Sequence, residues 1–146
     1  MPLPPVGGWI IDLRAARSVF ISNSNERISH CVAMCNHGKL KFSHVEIAGF
    51  REVPALKSTF IDGTQCQLVP NDDVLARAMA IAESPLGSDR LQGNQAAIFI
   101  TAAAAANNFG VISGQAPGGF TTIADLCNHF GVPVFTVDEY FTHIVP

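Results

Sequence analysis

Acidic side chains stand at two positions where strand-like runs give way to helix-like ones. Asp12 follows the apolar run Trp9-Ile10-Ile11, and Glu46 follows the alternating run Lys39–Phe42. In an open α/β sheet, ligand sites collect beyond the carboxyl ends of the strands. Hard cations need oxygen ligands, and clustered carboxylates both bind them and offset their charge. Asp12 and Glu46 are therefore candidate residues of a ligand site at this edge of the sheet.

A purely structural role explains Glu46 more readily than Asp12. Asp12 stands inside an apolar strand predicted over Trp9–Leu13. A charge there is costly unless it is paired or ligated, which favours a site role. Glu46 ends the pattern Ser43-His44-Val45-Glu46, which is typical of a helix capping box, so it could instead bind the backbone amide of Ser43. The sequence leaves both interpretations of Glu46 open.

The elements that must position these residues alternate between strands and helices. The patterns predict strands over residues 9–13, 39–42, 66–69, 111–113 and 132–135. They predict helices over 23–38, 43 to about 54, 74–83 and 93–106, a further helix that contains Asp125 and ends at Gly131, and a last helix from 138 onward. Such alternation predicts a single α/β domain with a mostly parallel central sheet flanked by helices.

Three local details can be checked against a structure. Asn23 or Ser24 is expected to cap the helix over residues 23–38. In the helix over residues 74–83, one apolar stripe is predicted, formed by Leu75, Ala78, Met79 and Ala82. Gly110 and Gly131 are expected to close helices just before two strands.

The order of elements from Leu86 to Phe141 resembles the C-terminal half of PIN domains. It comprises a helix from Gly93 to the Ala102–Ala106 run, the strand Val111-Ile112-Ser113, and Gly131–Phe135 followed by Asp138-Glu139-Tyr140-Phe141. PIN domains are the fold of many small ribonucleases, including those of toxin–antitoxin pairs. As a pattern, the resemblance covers nearly the whole chain. It implies one PIN-like domain over residues 1–146, with a Pro/Gly-rich lead over residues 1–8.

The resemblance also implies where acids should stand. In PIN domains, acids at the matching positions hold Mg²⁺ or Mn²⁺ and activate water against an RNA phosphate. Asp12 and Glu46 match two of these positions, so the resemblance makes them the candidate catalytic and metal-binding residues. Asn94 stands at the third position and Gly114-Gln115 at the fourth. An amide oxygen can coordinate a metal but adds no negative charge, so affinity for a dication falls sharply. We therefore treat Asn94, Gly114 and Gln115 as degenerate site positions.

Other residues could compensate for the missing acids. Arg14 stands where the family usually has Asn, and its guanidinium could replace the metal as a permanent positive charge, or simply extend into solvent. Asp89, Asp125 and Asp138 could supply a carboxylate, but a turn, a solvent-facing helix position and a helix cap explain them locally.

Composition narrows the classes of partner. The net charge of −3 gives no overall attraction for nucleic acid, although a local basic patch could form from Arg14, Arg17, Arg27, Lys39 and Lys41. No apolar run is long enough to span a bilayer, and the first residues lack the pattern of a secretory signal. We expect a cytoplasmic protein without a membrane partner.

The cysteines and histidines suggest another kind of site. The four cysteines lie among apolar neighbours, which predicts buried thiols rather than a disulfide framework. His30, Cys31, Cys35 and His37 contain ligand types that zinc prefers, but their spacing is not that of a recognised zinc site.

Three functions are consistent with the sequence. The first is a PIN-like protein whose ribonuclease activity is weakened or lost, and which retains binding to RNA or to a protein such as a cognate antitoxin. The second is an active Mg²⁺- or Mn²⁺-dependent toxin-type endoribonuclease that uses Asp12, Glu46 and a compensating acid. The third is a protein-interaction module. We expect a homodimer, and we expect Asp12, Glu46, Asn94 and Gln115 to cluster at one edge of the sheet.

Overall fold

Five short strands form the centre of the fold. In a computed structural model that describes residues 6–22, 24–62, 66–84, 95–114 and 123–144, they are β1 (Gly8–Ile11), β2 (Leu40–Ser43), β3 (Gln67–Leu68), β4 (Phe109–Ile112) and β5 (Val134–Phe135). They lie in the order β3-β2-β1-β4-β5, and every pairing is parallel. The predicted α/β class with a parallel sheet is confirmed.

Helices connect these strands. They are α1 (Leu13–Ile21), α2 (Asn25–Asn36), α3 (Ile47–Glu52), α4 (Pro54–Leu56), α5 (Asp72–Glu83), α6 (Gln95–Asn107), α7 (Ile123–His129) and α8 (Val137–Ile144). A 3-10 turn over His44–Glu46 precedes α3, and wide π-type turns over Lys57–Asp62 follow α4. Among the described helices, none is both long and apolar enough to cross a membrane.

The central strand β1 is buried on both faces because helices cover both sides of the sheet. Trp9 and Ile11 point into one apolar core, together with side chains from α1, α2 and α8. Ile10 points into the other core, with side chains from α5, α6 and α7. This two-residue alternation is the ordinary geometry of a strand.

The chain leaves the first strand earlier than the sequence suggested. The strand predicted to reach Leu13 ends at Ile11, and α1 begins at Leu13. Asp12 is the N-cap of α1. This position favours Asp because the Asp side chain can accept a hydrogen bond from a backbone N–H that has no partner within the helix. Ala15, Ala16 and Val19 form the buried face of α1.

Two details of the helix ends are confirmed. Ser24 caps α2 through its side chain, which accepts from the amide of Arg27. Gly131 has a φ of +73° just before the segment that leads to β5. This left-handed conformation closes a helix and favours glycine.

Gly110 does not close a helix as expected. Asn108 takes the left-handed conformation, with a φ of 56°, and Gly110 lies inside β4 opposite Trp9. A Cβ atom on Gly110 would lie 2.3 Å from the ring of Trp9, so glycine leaves space for the indole. Trp9 also packs against Phe135, with ring centroids 5.6 Å apart.

The predicted stripe on α5 is partly wrong. Val74, Ala78 and Ile81 are buried, whereas Leu75 and Met79 are 42% and 64% exposed. Both sets of residues have helical spacing, so the pattern alone does not select the buried face. Contact with the alanine-rich α6 selects it.

The second predicted helix is also less regular than expected. Between Ser43 and Asp62 the chain forms the 3-10 turn, α3, α4 and the π-type turns in succession. Pro54 begins α4, where its missing N–H costs no intrahelical hydrogen bond. Phe50, Leu56 and Phe60 bury this irregular segment against the core.

Candidate acidic site at the carboxyl edge of the sheet

The strand order brings the ends of β1, β2 and β4 together. Because the strands are parallel, they all end at one edge of the sheet, here called the carboxyl edge. The connections from β1 lead to β2 on one side, while β4 lies on the other side. This reversal of strand order is where open α/β sheets form ligand crevices. Asp12, Glu46, Ser113 and Gly114 all follow strands at this edge.

Asp12 is buried and fully hydrogen-bonded. Its Oδ1 accepts from the amide of Ala15 at 2.7 Å and from that of Gly114 at 3.0 Å. Its Oδ2 accepts from the Ser113 hydroxyl at 2.6 Å and from the Gly114 amide at 3.1 Å. The residue is only 2% exposed. One carboxylate therefore ties the end of β1 to the start of α1 and to the end of β4.

Gly114 can donate to Asp12 because it has no side chain. A Cβ atom on Gly114 would lie 2.7 Å from the backbone nitrogen of Ala15 and 2.7 Å from Cγ of Arg14. The first of these atoms belongs to a helix backbone and cannot move aside. Gly114, which the sequence presents as a degenerate acid position, is therefore a donor to the acid at the other strand end.

Glu46 caps the same helix as Asp12. Its Oε1 accepts from the amide of Leu13 at 3.1 Å, while the hydroxyl of Ser43 accepts from Val45. The first amides of a helix have no intrahelical partner, and the positive end of the helix dipole favours negative charge there. The Glu46 carboxylate therefore bonds the amide of Leu13 and not that of Ser43, which places it beside Asp12.

Burial governs the ionisation of this acidic pair, Asp12 and Glu46. Burial raises the pKa of Asp12, while its hydrogen bonds to Ser113, Ala15 and Gly114 lower it. Burial, and then the charge of Asp12, raise the pKa of Glu46 from 4.5 to about 7, although the bond from Leu13 opposes this rise. Glu46 is consequently partly protonated near neutral pH.

Arg14 lies on the first turn of α1 with an exposed side chain. Within the described chain it forms no ion pair with Asp12 or Glu46. Its charge still lowers the pKa of Asp12, but this is the smallest of the effects on that group. Cγ of Arg14 lies beside Gly114, so the stem of this side chain starts next to a donor of Asp12.

The predicted basic patch does not form as one surface. Arg14 follows the carboxyl end of β1, whereas Lys39 precedes β2 and so lies at the opposite edge of the parallel sheet. Arg17 is 3.6 Å from Glu52, and Arg27 is 2.8 Å from Asp138.

The described residues test only part of the predicted cluster. Asn94, Gln115 and Asp89 are outside the described residues, so the expected cluster is observed only for Asp12 and Glu46. Asp125 is half-buried in the first turn of α7. Asp138 pairs with Arg27 and does not cap α8.

The cap of α8 is a capping box that the sequence prediction missed. Thr136 Oγ1 accepts from the Glu139 amide, and Glu139 Oε1 accepts from the Thr136 amide. The spacing Thr-x-x-Glu was a sufficient signal for it.

The cysteine and histidine group does not assemble a metal centre in the described ranges. No three His, Cys, Asp or Glu side chains within them are arranged to hold a metal ion. His30 bonds the hydroxyl of Tyr140 at 2.9 Å, and all four cysteines are buried free thiols, as predicted.

The described residues fit a Mg²⁺ or Mn²⁺ ion poorly. Such ions take about six oxygen ligands in a nearly octahedral arrangement. Both oxygens of Asp12 already accept two hydrogen bonds each, and one oxygen of Glu46 accepts the Leu13 amide. Within this part of the chain, only Glu46 of the pair keeps acceptor capacity for a cation, because Oε2 accepts no hydrogen bond and Oε1 accepts one.

Comparison with models of known protein families, and with curated protein sequences, finds no match to this chain.

Proposed function

We propose that this chain is a PIN-like protein related to metal-dependent endoribonucleases, that its activity is weakened or lost, and that it binds RNA at the carboxyl edge. The observation that supports this most is the filled coordination of Asp12. A catalytic metal needs carboxylate oxygens that are free to ligate it and a position open to water. Asp12 offers neither, because it is buried among donors from α1 and β4.

The position of Arg14 supports RNA binding. It is exposed at the carboxyl edge, and it has no ion pair within the described residues. Arginine binds phosphate through two parallel hydrogen bonds, and such contacts supply most of the affinity for a nucleic acid backbone. A chain with a net charge of −3 needs a local contact of this kind.

The alternative is an active Mg²⁺- or Mn²⁺-dependent toxin-type endoribonuclease. The raised pKa of Glu46 favours it, because a cation beside the acidic pair would remove the repulsion that contributes to this rise. The third function, a protein-interaction module, predicts no RNA binding. An RNA-binding titration and an RNA cleavage assay together separate the three functions.

Fluorescence anisotropy with labelled single-stranded RNA over a series of salt concentrations tests the proposal. We expect binding that weakens as salt rises, and we expect Arg14→Gln to reduce affinity about three- to tenfold with a salt slope smaller by about one. Arg77→Gln is the matched control, because Arg77 pairs with Asp73 on α5. Absence of RNA binding would support the interaction module. Metal-dependent cleavage that is lost in Asp12→Asn would support the active enzyme.

The assembly and location belong to the same proposal. We propose a cytoplasmic homodimer, with a cognate antitoxin-like protein as a candidate partner. Leu75 and Met79, exposed on one face of α5, provide apolar surface of the kind that interfaces bury.

A further inference from the structure

A small cavity opens beyond the carboxyl ends of β4 and β5, beside the acidic pair. Its volume is about 190 Å³. Of the described residues around it, Val134 and Phe135 form an apolar wall, and the polar ones are Ser113, Asn128, Thr136 and Glu139. The Ser113 hydroxyl also donates to Asp12, so the cavity and the acidic pair share a wall. We call it the β4–β5 cavity.

The polar groups of the β4–β5 cavity have hydrogen-bonding capacity left. The Asn128 side chain is exposed and bonds no group in the described chain. Glu139 uses Oε1 to accept from Thr136, which leaves Oε2 as an acceptor. Thr136 Oγ1 accepts from the Glu139 amide, which leaves its hydroxyl hydrogen as a donor. A ligand would thus meet an amide, a carboxylate and a hydroxyl.

This chemistry narrows the class of ligand. Among its described lining residues the cavity has one carboxylate and no Lys or Arg, which disfavours a phosphate. Its volume is below the roughly 300–1,000 Å³ of sites for drug-sized ligands. An apolar wall with donors and acceptors on the rim suits one small, neutral, flat ring that carries both donors and acceptors.

We infer that the β4–β5 cavity binds one unstacked base of single-stranded RNA. This inference rests on the proposed RNA binding. Proteins read single-stranded RNA by hydrogen bonds to splayed-out bases, and an amide side chain can form two such bonds to one base. Arg14, beside Gly114, would hold a phosphate while the neighbouring Ser113 lines the base site.

Nuclear magnetic resonance with free nucleosides tests the cavity separately from RNA. Adenosine, guanosine, cytidine and uridine are added to the ¹⁵N-labelled chain, and the side-chain amide signal of Asn128 is followed. We expect at least one nucleoside to shift this signal saturably, and Asn128→Ala to abolish the shifts of neighbouring signals. Asn36→Ala is the matched control, because Asn36 is an exposed Asn at the end of α2. Absence of shifts near Asn128 with all four nucleosides would overturn the inference.

Measurements of RNA affinity then distinguish the proposed RNA binding from the proposed base site in the β4–β5 cavity. We expect Asn128→Ala to weaken binding of a single-stranded RNA about three- to tenfold, and an RNA with abasic positions to bind parent and variant alike. If the parent binds RNA but Asn128→Ala binds it equally well, the cavity is not a base site, although RNA binding stands. If nucleosides bind at Asn128 but RNA does not bind, the RNA-binding function fails while the cavity remains a nucleoside site. Tighter binding of an Asn- or Gln-containing dipeptide amide than of any nucleoside would overturn the base assignment.

Discussion

At the scale of single residues, Asp12 is the most connected group of the site. It accepts from Ala15, Ser113 and Gly114, which belong to the start of α1 and the end of β4. A buried carboxylate is unfavourable alone, but these donors compensate for lost hydration. Asp12 therefore stabilises the junction of three elements whether or not RNA is bound.

Replacement of Asp12 by Ala should destabilise the protein by about 2–4 kcal/mol, because it removes a helix cap and leaves buried donors without acceptors. Urea denaturation followed by circular dichroism measures this. Asp72→Ala, at an exposed position in the first turn of α5, should change stability by about 0.5 kcal/mol or less. If Asp12→Ala proved as stable as the parent or more so, the carboxylate would be kept for ligand binding at the expense of stability.

Glu46 should make stability fall as pH rises. Its folded-state pKa is raised from 4.5 to about 7, so between these values the folded chain binds more protons than the unfolded one. The free energy of unfolding therefore falls between pH 4.5 and about pH 7, and it stays lower above pH 7. Glu46→Gln should match the parent near pH 4 and exceed it by up to about 3 kcal/mol at pH 8.

Thermal unfolding over this pH range, with Glu52→Gln as the control, measures the effect of Glu46. Glu52 is exposed on α3 and lies outside the acidic pair, so Glu52→Gln is the same chemical change away from the site. A Glu46→Gln variant with the same profile as the parent would show that the carboxyl group ionises normally in the folded chain.

The sequence was sufficient to find the two acids but not their partners. Asp12 and Glu46 could be predicted because each follows a strand-like run, and such positions share one edge in a parallel sheet. Ser113 lies 101 residues from Asp12, so its hydrogen bond depends on the pairing of β1 with β4. Local pattern contains no information on that pairing.

At the scale of elements, close packing of the β4 end against α1 shapes the site. α1 itself was missed because Asp12 was assigned to a strand, although Asp is also a preferred helix cap. α5 was found, but its buried face was assigned incorrectly because two apolar faces compete on it. In both cases tertiary packing decided between local patterns of similar strength.

Gly114→Ala should destabilise the protein by about 1–3 kcal/mol and weaken RNA binding, because its Cβ would press on the backbone of α1 beside Arg14. Gly7→Ala is the control, since a Cβ there meets only ordinary contacts, the nearest at 3.6 Å. Urea denaturation and anisotropy report the two effects. Unchanged stability in Gly114→Ala would show that β4 and α1 can separate without cost.

At the scale of the whole molecule, the fold class was predictable while the strand order was not. Alternating strands and helices imply a parallel sheet, because right-handed crossovers place helices on both faces. The order β3-β2-β1-β4-β5 requires knowledge of which strands pair. That order places the acidic pair, Arg14 and the β4–β5 cavity along one edge.

The proposed homodimer should have twice the mass of the 15.6 kDa chain in light scattering. Replacement of the exposed Leu75 and Met79 by Lys should shift the protein toward monomer, because charges at an apolar interface are poorly tolerated. Ile21→Lys is the matched control, because Ile21 is an apolar residue on α1 that is as exposed as Met79. A monomeric parent at high protein concentration would contradict the dimer.

Calorimetric titration of the chain with Mn²⁺ tests the central claim most directly, which is that Asp12 is a structural acceptor and no longer a metal ligand. We predict no saturable binding below about 1 mM Mn²⁺, in the parent or in Asp12→Asn. Saturable binding in Arg14→Asn alone would identify Arg14 as the charge that replaces the metal. Tight Mn²⁺ binding by the parent that is lost in Asp12→Asn would contradict the claim and restore the active ribonuclease.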